Sequence, residues 1–335
     1  MRISVLDQAP ISSNQTSSQA LIEALKLAKA AEDLGYARYW IAEHHDLPGL
    51  ACSAPEVMLG YIGAHTDTIR IGSGAVLLPH YKPYKVAEVY NTLASLFPGR
   101  VDVGIGRAPG GSAEATNALS DHFLQNVFQM PTSVRELIHF LDDDFPHDHK
   151  YTNVSAAPVP DISPEPWLLG TSKKSALLAA EYGMAYAFGL FMSDRDGQEI
   201  INLYRENYKA RKKEQKSEVI LTVSVICADT VEKAEELALS HLIWKLQTEK
   251  GEGREGVPSI NQAKSYPMTD QDKRSLQNMK KNIIIGDTEK VRKELCNLKE
   301  TYDFDELMIV TITYDPNDRI RSYELLAEIV QQRDY

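Results

Sequence analysis

Three cysteines in 335 residues leave little room for two kinds of scaffold. Cys52, Cys227 and Cys296 are odd in number and far apart, which argues against a disulfide framework or a structural zinc site and suits a reducing compartment. Positive charge is also scarce: 36 Lys and Arg against 47 Asp and Glu give a net charge of −11, a balance that disfavours nucleic acid and anionic membranes as partners. No apolar run approaches the ~18 residues of a membrane span. The start, Met1-Arg2-Ile3-Ser4-Val5, has neither the basic lead nor the apolar core of a secretion signal, so the cytoplasm is the expected location. Glycine is missing from the first turn, Asp7-Gln8-Ala9-Pro10, which disfavours a dinucleotide-binding fold at the amino terminus.

What is present is a regular alternation. Hydrophobic residues make up 43% of the chain, and apolar strand-like runs fall at 3–6, 38–42, 69–78, 100–105, 167–169, 184–188, 219–227 and 307–312. Helical patterns lie between them at 17–34, 54–65, 83–96, 133–141, 173–181, 194–211, 230–245 and 317–330. Their ends carry boundary chemistry: Gly35 after the first helix, Pro83 at a first turn, Pro98-Gly99 after the third helix, and N-caps at Thr230 and Thr288. Eight strands, each followed by a helix, predict an α/β fold of the (β/α)8 TIM-barrel type, a single domain over 1–335. Three stretches exceed the repeat: 106–129, the proline-rich 147–166, and the lysine-rich 247–281, which is the lid candidate.

In such a barrel, reactive groups belong at the carboxyl ends of strands. The second strand ends in Glu43-His44-His45, three titratable groups in a row, suited to acid–base work or equally to a surface loop or a core imidazole. The third carries Gly72-Ser73-Gly74-Ala75, where glycine admits either a flat ligand or crowded neighbouring strands. The fourth ends in Gly104-Ile105-Gly106-Arg107, an arginine among glycines that fits an anionic group. The fifth ends in Gly170-Thr171-Ser172-Lys173-Lys174, read either as a phosphate seat at a helix N-terminus or as an ordinary N-cap. His147-Asp148-His149 follows an aspartate run and reads as a surface loop rather than a metal pair, so no metal site is expected.

These segments together resemble the bacterial luciferase-like family of flavin monooxygenases. The motifs are Gly35-Tyr36, Tyr39-Trp40, Ala42-Glu43-His44-His45, Ile71-Gly72-Ser73-Gly74, Val86-Ala87-Glu88, Pro98-Gly99-Arg100-Val101 and Gly104-Ile105-Gly106-Arg107. The similarity runs in register to about Phe188 and more loosely through Ile283-Ile284-Ile285-Gly286 and the last strand and helix. The resemblance implies a barrel that binds reduced FMN or, in another branch, the deazaflavin F420. It implies that His44 is the catalytic imidazole, with Glu43 and His45 as its neighbours and Glu88 supporting the cluster. Gly74 and Ala75 would form a cis peptide against the flavin ring; Arg107, Gly170, Thr171 and Ser172 would hold its phosphate.

The implied chemistry is oxidation of a small organic substrate, such as an aldehyde, by O2 through a C4a-peroxyflavin. A separate NAD(P)H:flavin reductase and a homodimer are implied as well. An F420-dependent dehydrogenase and a non-catalytic flavin-binding protein are the alternatives. Gly106 stands where the light-emitting subunit has a reactive cysteine, so light emission is not expected.

Overall fold

The computed structural model describes residues 1–331. Ten strands run in chain order: β1 (Arg2–Asp7), β2 (Arg38–Ile41), β3 (Arg70–Ser73), β4 (Val76–Leu77), β5 (Val101–Gly106), β6 (Glu165–Gly170), β7 (Ala185–Gly189), β8 (Val219–Cys227), β9 (Ile283–Gly286) and β10 (Glu306–Val310). All their pairings are parallel, and β10 bonds both β1 and β8, which closes the ring. The closed parallel barrel read from the sequence is therefore the fold, with the expected run 69–78 broken into β3 and β4 at the cis peptide Gly74–Ala75. β9 was not among the eight expected strands. It exists because β8 is nine residues long: its first half pairs β7 and β10 in the ring, and Ser224 to Cys227 continue past it to pair β9.

Helices return the chain over the outside of the ring, and their caps are local. Thr16 and Gln19 form a capping box ahead of the helix Ser17–Asp33. Thr230 caps the helix Val231–Glu249 as expected, whereas the cap of Thr288–Thr301 is Asp287 rather than Thr288. No helix among the described residues is long and apolar enough to cross a membrane.

Side chains that alternate inward fill the barrel in layers. At the amino-terminal end of the strands lies a buried charge layer. Arg38 bonds Asp102 (3.0 Å) and Glu306 (2.8 Å), Arg70 bonds Asp102 and lies 3.1 Å from Glu165, and Ser4 bonds Glu306. Trp40 and Trp167 meet edge to face above it, ring centres 5.4 Å apart, with Leu6, Ile220 and Met308 beside them. The interior is thus closed from below. At the opposite end Asp7 accepts from Tyr39 (2.6 Å) and Arg319 (3.0 Å), fastening the last helix, Pro316–Gln331, to β1 and β2.

The three long stretches are folded. The 106–129 stretch holds the helices Ala113–Leu119 and Phe123–Phe128. The 147–166 stretch contains a cis Ala157–Pro158 bond, and there His149 stacks on Phe145 and accepts from the Tyr151 amide. The lid candidate is a set of short helices rather than a bare loop, including Ile260–Ser265 and Asp270–Lys280, each opened by a capping box. Its fully buried Val257 pairs with Ser12 in the loop after β1, so the segment is moored at the carboxyl-end face of the barrel.

Candidate active site

The carboxyl ends of β2, β3, β5 and β6 bring the sequence-marked residues to one face of the barrel, because all four strands are parallel neighbours in the ring. Glu43 follows β2 and its carboxylate is fully buried. Its Oε2 accepts from the Leu77 amide (3.1 Å); its Oε1 accepts from the Tyr81 hydroxyl (2.7 Å) and lies 2.7 Å from Nε2 of His45. With both carboxylate oxygens engaged inside the protein, Glu43 holds neighbours in place and is not free to meet a ligand.

His44 is different. Its backbone amide donates to Cys52 O (2.9 Å), but Nδ1 of its ring is buried and has no hydrogen-bond partner. Burial, and secondarily the adjacent His45 ring, lower its pKa to about 4. At neutral pH His44 is an uncharged imidazole with one nitrogen unused, which can accept or pass on a proton.

The loop after β5 lies against this cluster. The His45 amide donates to Gly110 O (2.8 Å), Gly111 pairs with His45, and Ser112 donates to Asp46 (2.6 Å). A Cβ on Gly111 would sit 1.8 Å from the His45 carbonyl oxygen, so only glycine allows this approach. These glycines therefore serve backbone packing, with a carbonyl rather than an amide engaged at Gly110. Arg107, four residues earlier, is exposed and makes no hydrogen bond or ion pair among the described residues.

The ends of the neighbouring strands β3 and β5 carry small residues. Gly74 donates its amide to Ile41 O (2.8 Å), which sets the Gly74–Ala75 cis peptide next to the end of β2, and Ala75 packs against Gly106 of β5. At the end of β6, Ser172 caps the helix Lys173–Glu181 through a box with Ser175, so its hydroxyl is committed to the ordinary cap. Gly170 is required by the Ser175 side chain, whose Oγ lies 2.3 Å from where a Cβ would stand. Lys173 pairs with Glu199, while Thr171 is half-buried. The 170–172 turn thus offers Thr171 and the first free amides of its helix, with less positive charge than two lysines suggest.

Glu88 does not support the cluster. It pairs with Lys85 on the outer helix Pro83–Leu96 and lines a surface cavity with Glu56, Val57 and Ala157. The supporting groups are Tyr81 and the Leu77 amide, which no motif marked. His80 also lies close: its ring meets His45 at 5.8 Å, stacks on Phe123 at 4.8 Å, and its Nε2 bonds Pro109 O. The pattern Pro79-His80-Tyr81 directly after the broken third strand was the available signal.

Comparison with known proteins identifies the family. The profile of the luciferase-like monooxygenase family matches residues 1–303. The N-acetyl-S-alkylcysteine monooxygenase of Bacillus subtilis (strain 168) is 37% identical over 331 residues, covering 98% of each chain. The crystal structure of apo-MsnO8 has a TM-score of 0.88 at 32% identity, over 98% of both chains. The oxygenating constituent of 3,6-diketocamphane monooxygenase from Pseudomonas putida, in complex with FMN, has a TM-score of 0.73 at 18% identity over 99% of this chain and 98% of its own, a likeness of fold alone. The chain belongs to the luciferase-like monooxygenase family and is an oxygen-using, flavin-type enzyme.

Proposed function

We propose that the protein is an FMN-dependent monooxygenase that uses reduced flavin and O2 to oxygenate a small organic substrate, with His44 as the catalytic imidazole. The observation that carries this reading is the neutral, half-buried His44 with its unpartnered Nδ1, at the end of β2, where the next strands round the ring, β3 and β5, carry the small residues Gly74, Ala75 and Gly106 at their ends. A buried polar atom without a partner is costly unless a ligand meets it. A flavin ring fits against a wall without side-chain bulk, and the uncommitted cation of Arg107 fits a phosphate.

Reduced FMN, when bound, supplies two electrons and activates dioxygen. The chain's own residues do the rest. His44 holds or moves a proton at the reacting face. Glu43 and His45 orient that imidazole, while Arg107, Thr171 and the amino end of Lys173–Glu181 bind the phosphate. Gly170 and Ser172 shape that turn rather than touching the ligand. The 247–281 segment, moored over the mouth at Val257, excludes water during turnover. In line with the family resemblance, a separate NAD(P)H:flavin reductase supplies the reduced flavin, in the cytoplasm and to a homodimer.

The test is oxygen uptake with reduced FMN and a panel of alkanals and N-acetyl-S-alkylcysteines, the latter being the class named for the Bacillus subtilis relative. Substrate-stimulated formation of an oxygenated product, lost in His44→Ala, is expected. No product with any panel member, or a His44→Ala variant as active as the parent, overturns the reading. Tighter binding of F420 than of FMN, with hydride transfer and no oxygen uptake, would replace it with a dehydrogenase.

A further inference from the structure

We propose that Tyr81 is a positioning residue of the reaction centre, which fixes the Glu43 carboxylate and through it the orientation and tautomer of His45 beside His44. The inference rests on the reading that His44 works at the flavin.

Tyr81 lies in the turn between Leu78–His80 and the helix Pro83–Leu96, where its half-buried side chain points back under the end of β2. Its hydroxyl and Nε2 of His45 both stand 2.7 Å from the same oxygen, Oε1 of Glu43, while Oε2 is taken by the Leu77 amide. Burial, and then the Glu43 carboxylate, push the Tyr81 phenol well above its ordinary pKa, so it stays protonated and donates. An ionised carboxylate only accepts, so His45 must present a protonated Nε2 to share that oxygen. Glu43 is the one side-chain hydrogen-bond partner of the His45 ring among the described residues. The backbone of His45 is pinned separately, by Gly110 and Gly111.

The ring orientation of His45 therefore depends on a carboxylate held from both ends. The Leu77 amide fixes one oxygen and Tyr81 the other. Without the Tyr81 hydroxyl, the carboxylate can rotate about its remaining anchor, and His45 rotates with it. His45 adjoins His44 in sequence and perturbs it electrostatically, so the consequence reaches the catalytic imidazole. Motif matching passes over Tyr81 because it follows a different strand from the histidines.

The experiment uses Tyr81→Phe, which keeps the ring and removes only the hydroxyl. In nitrogen–proton spectra of the flavin-free wild-type protein, His45 should carry its proton on Nε2, with a slowly exchanging signal. Tyr81→Phe should shift that signal and speed its exchange about tenfold, the order expected for one lost hydrogen bond. In turnover, kcat should fall about tenfold while the KM for substrate and the Kd for FMN stay within twofold. In a Glu43→Gln background, Tyr81→Phe should have no further effect on kcat.

An Nδ1-protonated His45 in the wild type overturns the proposal even if Tyr81→Phe fails to fold. So does a Tyr81→Phe variant with an unchanged His45 signal, or one whose loss is just as large in the Glu43→Gln background. The imidazole spectra need no flavin or substrate. Failure of every oxygenation assay, with the expected spectra intact, would count against the proposed function and not against the contact between Tyr81, Glu43 and His45.

Discussion

Arg38 on β2 reaches across the floor of the barrel to Asp102 on β5, its Nη1 3.0 Å from Oδ2, and both side chains are shut away from water. The same carboxylate accepts from Nε1 of Trp40 at 2.9 Å. Burial works against the Arg38 charge, but the carboxylates of Asp102 and Glu306 outweigh it and hold its pKa above the ordinary value. Arg38→Met leaves two buried carboxylates short of a counter-charge, and the expected loss is ~3–5 kcal/mol in urea unfolding. A loss under ~1 kcal/mol would mean that Arg70 alone neutralises the layer.

Gly111 tests how closely the loop after β5 must approach His45. Its missing side chain makes room for the His45 carbonyl oxygen, which would lie 1.8 Å from a Cβ there, and the backbone cannot give way without moving the histidine. Gly111→Ala should fold but lose activity by about 100-fold, the scale of an ångström-sized misplacement of a catalytic group. A variant that is both stable and active would show that the loop can relax without disturbing the cluster.

Arg107 is exposed and has no hydrogen-bond or ion-pair partner among the described residues. Calorimetric titration with FMN and with riboflavin separates its role from general damage. Arg107→Met should weaken FMN binding roughly 10- to 100-fold, the scale of a hydrogen bond to a charged group, and leave riboflavin unchanged. Equal losses for both ligands would remove the residue from the phosphate site.

Two histidines set an acid limit on stability. Burial lowers the pKa of His44 and of His241 to about 4, with His45 and Lys245 as the respective smaller causes, against an ordinary value of 6.5. Between those values the unfolded chain binds protons that the folded one refuses. Their contribution is fully present above pH 6.5 and is lost as the pH falls toward 4. Guanidinium unfolding at pH 7.5 and at pH 5 should differ by up to ~4 kcal/mol, about 2 from each histidine, and His241→Leu should remove about half of that difference. An unchanged slope of stability against pH in His241→Leu would mean that other groups set the limit.

The sequence by itself determined the barrel and the address of the candidate site. Strand-like runs recur between helical patterns with their caps, and in a parallel ring that order places the residues after β2, β5 and β6 on one face. The periodicity is a local property, so Glu43, His44, His45 and Arg107 were legible as strand-end residues. β9 escaped because it depends on the extra length of β8, and the helices within 247–281 because they are short and mostly polar.

Only the tertiary structure decided what each marked residue touches. Glu88 is on the outside because its helix turns that face away from the barrel, and Ser172 is spent on its own helix cap. Tyr81 reaches Glu43 from 38 positions away, and Arg38 meets Asp102 from 64. Such pairs form where separate strands converge, and their hydrogen bonds depend on distances that no local pattern encodes.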